Sequence, residues 1–133
     1  MPLNCPRLLV RILFIEDNQL NREAIAEYLE LEGYEVRALS SGYNFLKYIQ
    51  EFKPNLILLD IKLPGIDGFS LMEQLKNSEW TEIPVVILSA LSFAQDKHRA
   101  FQLGARRFLV KPAILREIGR AIQAEIKQLT VDN

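Results

Sequence analysis

The feature that most narrows what this chain can fold into is an alternation. Apolar runs of strand length take turns with amphipathic stretches of helix length, five times over. "LLVRILFI" (8–15), "LILLD" (56–60), "PVVILS" (84–89) and "RFLVK" (107–111) read as strands, with "YEVRAL" (34–39) a weaker one. The runs at 56–60 and 84–89 are almost continuously hydrophobic, as strands covered on both faces are. Between the strands, Asn18 is the expected N-cap of a helix running to Glu32, with Gly33 as its stop. A second helix is expected over 41–51, and a third capped by Asp67 and reaching about Asn77. "SFAQ" (92–95) has the form of a capping box, with Ser92 as the cap of a fourth helix that ends at Gly104. The last helix follows Pro112. Its Ile114, Ile118, Ile122 and Ile126 recur at four-residue steps, with Leu129 beyond, as one apolar stripe facing a sheet. This order predicts an α/β, doubly wound parallel sheet with right-handed crossovers, whose ligands bind at the carboxyl ends of the strands.

Composition removes several alternatives. At 49% hydrophobic and 25% charged, the 133 residues suit one globular domain and not a disordered or fibrous chain. Sixteen basic residues balance seventeen acidic ones, so no basic excess points to direct nucleic-acid binding and no polybasic run to an anionic membrane. The first apolar run carries Arg11 and ends in two acids, which makes it a poor signal peptide and too short to span a bilayer. The single cysteine, Cys5, cannot form an internal disulfide, which fits a reducing, cytoplasmic setting.

Four of the expected strands end in a reactive polar residue. The first delivers Glu16 and Asp17, the third Asp60, the fourth Ser89 and the fifth Lys111. In a parallel sheet all of them meet at one edge. Clustered, buried carboxylates repel and are costly to ionise, and a hard divalent cation offsets both effects. An all-oxygen set suits Mg²⁺ or Mn²⁺ better than zinc. An acidic loop here repels a bare phosphate but accepts one through a metal. Asp60, alone at the end of an apolar strand, can act as a nucleophile and form an acyl phosphate. Lys111 can pair with that carboxylate and then with a phosphoryl oxygen, and the Ser89 hydroxyl can reach another.

This set, Glu16–Asp17, Asp60, Ser89 and Lys111–Pro112, together with "LILLDIKLPGIDGF" and "RRFLVKP", resembles the receiver domain of two-component response regulators over about residues 8–130. The resemblance implies a flavodoxin-like, five-stranded sheet in the order 2-1-3-4-5, with a leader at 1–7 and a tail at 131–133. It implies phosphoryl transfer to Asp60 from a histidine kinase or a histidine phosphotransfer protein. It implies Mg²⁺ held by Glu16, Asp17, Asp60 and the backbone carbonyl of Lys62, and a switch in which Ser89 and Phe108 move together. It also implies a cis Lys111–Pro112 bond, a pocket flanked by Lys62 and Leu91, and room for a homodimer on phosphorylation. Two residues depart from the commonest pattern: Glu16 stands where aspartate is usual and Phe108 where tyrosine is frequent.

Rival readings fail at nameable positions. A phosphohydrolase of the haloacid dehalogenase type needs an acid two residues after its nucleophile, and here that residue is Lys62. A flavodoxin-like cofactor binder needs a Ser/Thr/Gly-rich first loop, and "EDNQLN" repels a cofactor phosphate. No turnover on a separate substrate is expected. The alternative within the receiver reading is a phosphorylation-independent module that binds proteins constitutively. The expected partner face is the fourth helix, fifth strand and fifth helix, because that helix has few apolar anchors beyond Phe93, Phe101 and Leu103. Asp67 reads as a cap, "LPGI" (63–66) as a type II turn, His98 as a surface residue, and Arg106 and Arg107 as charges guarding an edge strand. Cys5 and Trp80 read as structural or incidental.

Overall fold

The computed structural model describes residues 9–131, with side chains as far as Gln128. Five strands, β1 (Arg11–Ile15), β2 (Glu35–Leu39), β3 (Leu56–Leu59), β4 (Val85–Ser89) and β5 (Arg107–Val110), alternate with five helices. The helices are α1 (Gln19–Leu31), α2 (Phe45–Phe52), α3 (Gly68–Lys76), α4 (Ala94–Gln102) and α5 (Leu115–Val131). All strand pairs are parallel and the sheet order is β2-β1-β3-β4-β5.

Period-two alternation sorts the strand side chains into two cores. Leu13, Ile15, Ile57, Leu59, Val85 and Ile87 face α2, α3 and α4. Ile12, Phe14, Leu56, Leu58, Val86 and Leu88 face α1 and α5. Neither face of the central strands is wet, which is why β3 shows no polar position and β1 and β4 show one each, Arg11 and Ser89, at an end. The expected fold class is the observed one.

Local signals account for most helix ends. The Asn18 side chain accepts the Asn21 N–H at 2.9 Å, and the Asp67 side chain accepts the Ser70 N–H at 2.9 Å, so both expected caps are present. Gly33 and Gly104 sit at φ 101° and 107°, where a side chain would be strained, and each follows the end of its helix. The Lys111–Pro112 bond is cis.

Other expectations need correction. The second helix starts at Phe45, because Asn44 takes a left-handed conformation (φ 61°) that breaks the helical run. Ser92 does not cap α4: the N-cap is Phe93, in extended backbone, with no side-chain cap bond. The "SFAQ" box is therefore not used. Ile114 precedes α5 and is 61% exposed, so the buried stripe begins at Ile118. In "LPGI", by contrast, Gly65 takes φ 80°, as the third position of a type II turn requires, and the Ile66 N–H also donates to the Pro64 carbonyl at 3.0 Å. Phe93 and Phe101 do not anchor α4; they are 69% and 48% exposed, and the helix buries only Ala100.

Arg107 opens the edge strand and Arg106 immediately precedes it, and both reach buried Glu125 on α5 (2.8 and 3.7 Å). His98 is exposed and Trp80 packs half-buried on the core. Cys5 and the strand start at Leu8 lie outside the described residues, and Leu129 lies beyond the described side chains. Among the described residues, no helix is long and apolar enough to cross a membrane.

A candidate acidic pocket at the carboxyl edge of the sheet

Backbone hydrogen bonds bring the strand ends to one level. The Glu16 N–H donates to the Leu39 carbonyl at the end of β2 (3.0 Å), and the Asp60 N–H to the Ile15 carbonyl at the end of β1 (3.1 Å). On the far side of the sheet, the Lys111 N–H donates to the Ser89 carbonyl (2.8 Å). Residues 95 positions apart in the chain thereby come into contact. The Lys111 ammonium donates to Glu16 Oε1 at 2.6 Å and to Asp60 Oδ2 at 2.8 Å. The second oxygens are also used: Glu16 Oε2 accepts the Asn18 N–H (3.1 Å) and Asp60 Oδ1 the Lys62 N–H (3.1 Å).

Glu16 is fully buried and Asp60 is 4% exposed, whereas Asp17 is open to solvent. One carboxylate oxygen from each of the three lies within 4.8 Å of the others. Burial pushes the Glu16 carboxyl up, assisted by the charge of Asp60 and opposed by the Lys111 and Asn18 hydrogen bonds. Burial pulls Lys111 down, but its hydrogen bonds to Asp60 and Glu16 and their charges outweigh that, so its pKa is raised. Lys111 is therefore a firmly held cation facing two carboxylates. The three-carboxylate set, with no His or Cys, fits a hard divalent cation that keeps part of its water.

The remaining expected site residues lie nearby in different ways. The buried Ser89 hydroxyl accepts the Leu91 N–H (3.2 Å), and Leu91 packs half-buried on the core. Phe108 is half-buried on β5, opposite Ile87 in register. Lys62 enters through its N–H, and its side chain is exposed.

Two participants went unread in the sequence. Arg22 Nη1 donates to the backbone carbonyls of Glu16 (2.9 Å) and Asp17 (3.2 Å). The one available signal was a lone cation in the first turn of a helix, where the macrodipole disfavours it. Gly68, the first residue of α3, lies so close to the Asp60 backbone that a Cβ would stand 2.6 Å from the Asp60 carbonyl oxygen.

Comparison with known proteins agrees with this picture. The family model of the response regulator receiver domain matches residues 12–123. The chain is 34% identical over 119 residues to the DNA-binding dual master transcriptional regulator RpaA of Synechocystis sp., covering 89% of this chain and 49% of that protein. It is also 34% identical over 102 residues to the polar-differentiation response regulator DivK of Brucella ovis, covering 76% of this chain and 83% of that one. The chain thus spans about half the length of RpaA and most of DivK. Among solved structures, the CheY-like response regulator receiver domain protein from Methanospirillum hungatei superposes with a TM-score of 0.87 at 25% identity, covering 95% of this chain and 100% of that one. With the fold, the strand-end residues and the family match in agreement, the chain belongs to the response regulator receiver domain family.

Proposed function

We propose that this chain is a phosphoacceptor, receiving a phosphoryl group on Asp60 from a histidine kinase or a histidine phosphotransfer protein. The observation that carries the reading is the buried Asp60 carboxylate held by the Lys111 ammonium at 2.8 Å, beside two further acids at the sheet edge. In the transfer, an Asp60 oxygen attacks the phosphorus of phosphohistidine. The P–N bond breaks as the P–O bond forms, and the imidazole leaves with a proton. Lys111, already charged, moves its contact from the carboxylate to a phosphoryl oxygen. The Ser89 hydroxyl then donates to a second oxygen, and Phe108 fills the space that Ser89 leaves. Mg²⁺ or Mn²⁺, held by Glu16, Asp17, Asp60 and the Lys62 carbonyl, supplies the charge that offsets the phosphoryl oxygens.

On this reading the receiver domain occupies 8–130, the protein works in the cytoplasm, and it turns over no separate substrate. Its output goes through the face formed by α4, β5 and α5, to a protein partner or a second copy. The test is intact mass after incubation with acetyl phosphate, with and without Mg²⁺, beside Asp60→Asn. One Mg²⁺-dependent phosphoryl adduct, absent in the variant, is expected. No adduct, together with no spectral response to beryllium fluoride, would overturn the reading in favour of a constitutive binding module.

A further inference from the structure

We infer that Arg22 is a positioning residue for the acidic loop, fixing the backbone from which Glu16 and Asp17 project; this rests on the phosphoacceptor reading above. Arg22 is the only cation in α1, which otherwise carries Glu23, Glu27 and Glu30. It lies in the first turn, where the positive end of the helix dipole makes a cation unwelcome. Side chains on a helix lean toward its N-terminus, so from this position the guanidinium reaches back over the preceding loop. There Nη1 donates to the Glu16 carbonyl at 2.9 Å and the Asp17 carbonyl at 3.2 Å. Both carbonyls lie just past Ile15, the last residue of β1. Such backbone acceptors need a partner from elsewhere.

The contacts go to the carbonyls and not to the carboxylates, which leaves the Glu16 side chain for Lys111 and Asp17 open to solvent. The loop is closed from its other side as well. Asn18 caps α1 through its side chain and donates its own N–H to Glu16 Oε2. Arg22 and Asn18 therefore tie the acidic loop to α1, and the backbone from which the two acids project is set before any cation arrives. Supports of this kind, one step removed from the ligands, commonly govern metal affinity.

The test compares the full chain with Arg22→Met, which keeps the apolar stem, and Arg22→Lys, which keeps the charge about one bond shorter. Three quantities are read: the thermal midpoint without Mg²⁺, the Mg²⁺ concentration that half-shifts the amide resonances of residues 16–18, and the acetyl phosphate adduct by mass. The Mg²⁺ midpoint is expected to weaken roughly tenfold or more in Arg22→Met. Arg22→Lys should fall between, and adduct formation should recover when Mg²⁺ is raised in proportion. A lower thermal midpoint with an unchanged Mg²⁺ midpoint would overturn the inference and leave Arg22 a purely structural partner of two carbonyls. If Arg22→Met does not fold, Arg22→Lys decides alone: a weakened midpoint supports the inference and a wild-type one overturns it. A wild-type protein that shows neither Mg²⁺ shift nor adduct would instead sink the phosphoacceptor reading, and this inference with it.

Discussion

Lys111 shows what a single side chain does in this pocket. It is one-fifth exposed and shared by a fully buried glutamate and a nearly buried aspartate, at 2.6 and 2.8 Å. Removing one partner of a buried ion cluster leaves charge without compensation, so Lys111→Met in chelator-treated protein is expected to lose roughly 3 kcal/mol of stability by urea unfolding. The sign of the pH dependence follows from the raised pKa. A lysine whose folded pKa lies above the ordinary 10.5 contributes fully below that pH and loses its contribution as pH climbs through the folded value. As pH rises, the gap between wild type and Lys111→Met should therefore narrow only at strongly alkaline pH; as pH falls, protonation of the buried Glu16 carboxyl narrows it separately. A gap that closes on mild alkalinisation would contradict the geometry.

At the scale of elements, α3 and α4 are seated in opposite ways. α3 buries five residues, and its first, Gly68, rests on the backbone of Asp60 and Ile61. A methyl there meets main chain, which cannot step aside as a side-chain tip can. Gly68→Ala is therefore expected to cost roughly 1–3 kcal/mol and to slow acetyl phosphate labelling, because relief requires moving α3 or Asp60. Wild-type stability and labelling would refute the close approach.

α4 buries only Ala100 and leans on α3 through Arg99, whose guanidinium lies 4.2 Å from the centre of the Phe69 ring and 3.9 Å from Glu73. Both charges of that ion pair are more than half exposed, so it adds little, and the ring contact adds about 0.5–1 kcal/mol. Among the five helices α4 should show the fastest amide exchange, and its protection should change when Asp60 is phosphorylated. Identical exchange over 94–102 in both states would remove α4 as the moving part.

For the whole molecule, the acidic cluster is expected to couple stability to cations. An ion that binds only the folded pocket stabilises it by about 1.4 kcal/mol at ten times its Kd. For a domain of this size that raises the thermal midpoint by roughly 3–6 °C. Millimolar Mg²⁺ is expected to produce such a rise in the wild type and a smaller one in Asp17→Asn. An indifferent midpoint would mean that Glu16, Asp17 and Asp60 do not act as one cation site.

The sequence by itself determined the class of fold, because the information is local. Period-two and near-continuous apolar runs, the Asn18 and Asp67 caps, and the stops at Gly33 and Gly104 each lie within a few residues of the element they define. It also marked Glu16, Asp17, Asp60, Ser89 and Lys111 as candidate site residues, since each is a polar interruption at or just after the end of an apolar run. Tertiary structure decided whatever depends on a partner distant in the chain or on a preference that packing overrides. Arg22 has meaning only through the carbonyls it reaches, Gly68 only through the backbone it touches, and Arg107 only through Glu125 on the next helix. Ser92 could have capped α4 and Ile114 could have joined the stripe of α5. A cap is worth about 1 kcal/mol, and where the connecting loops leave the sheet outweighs a term of that size.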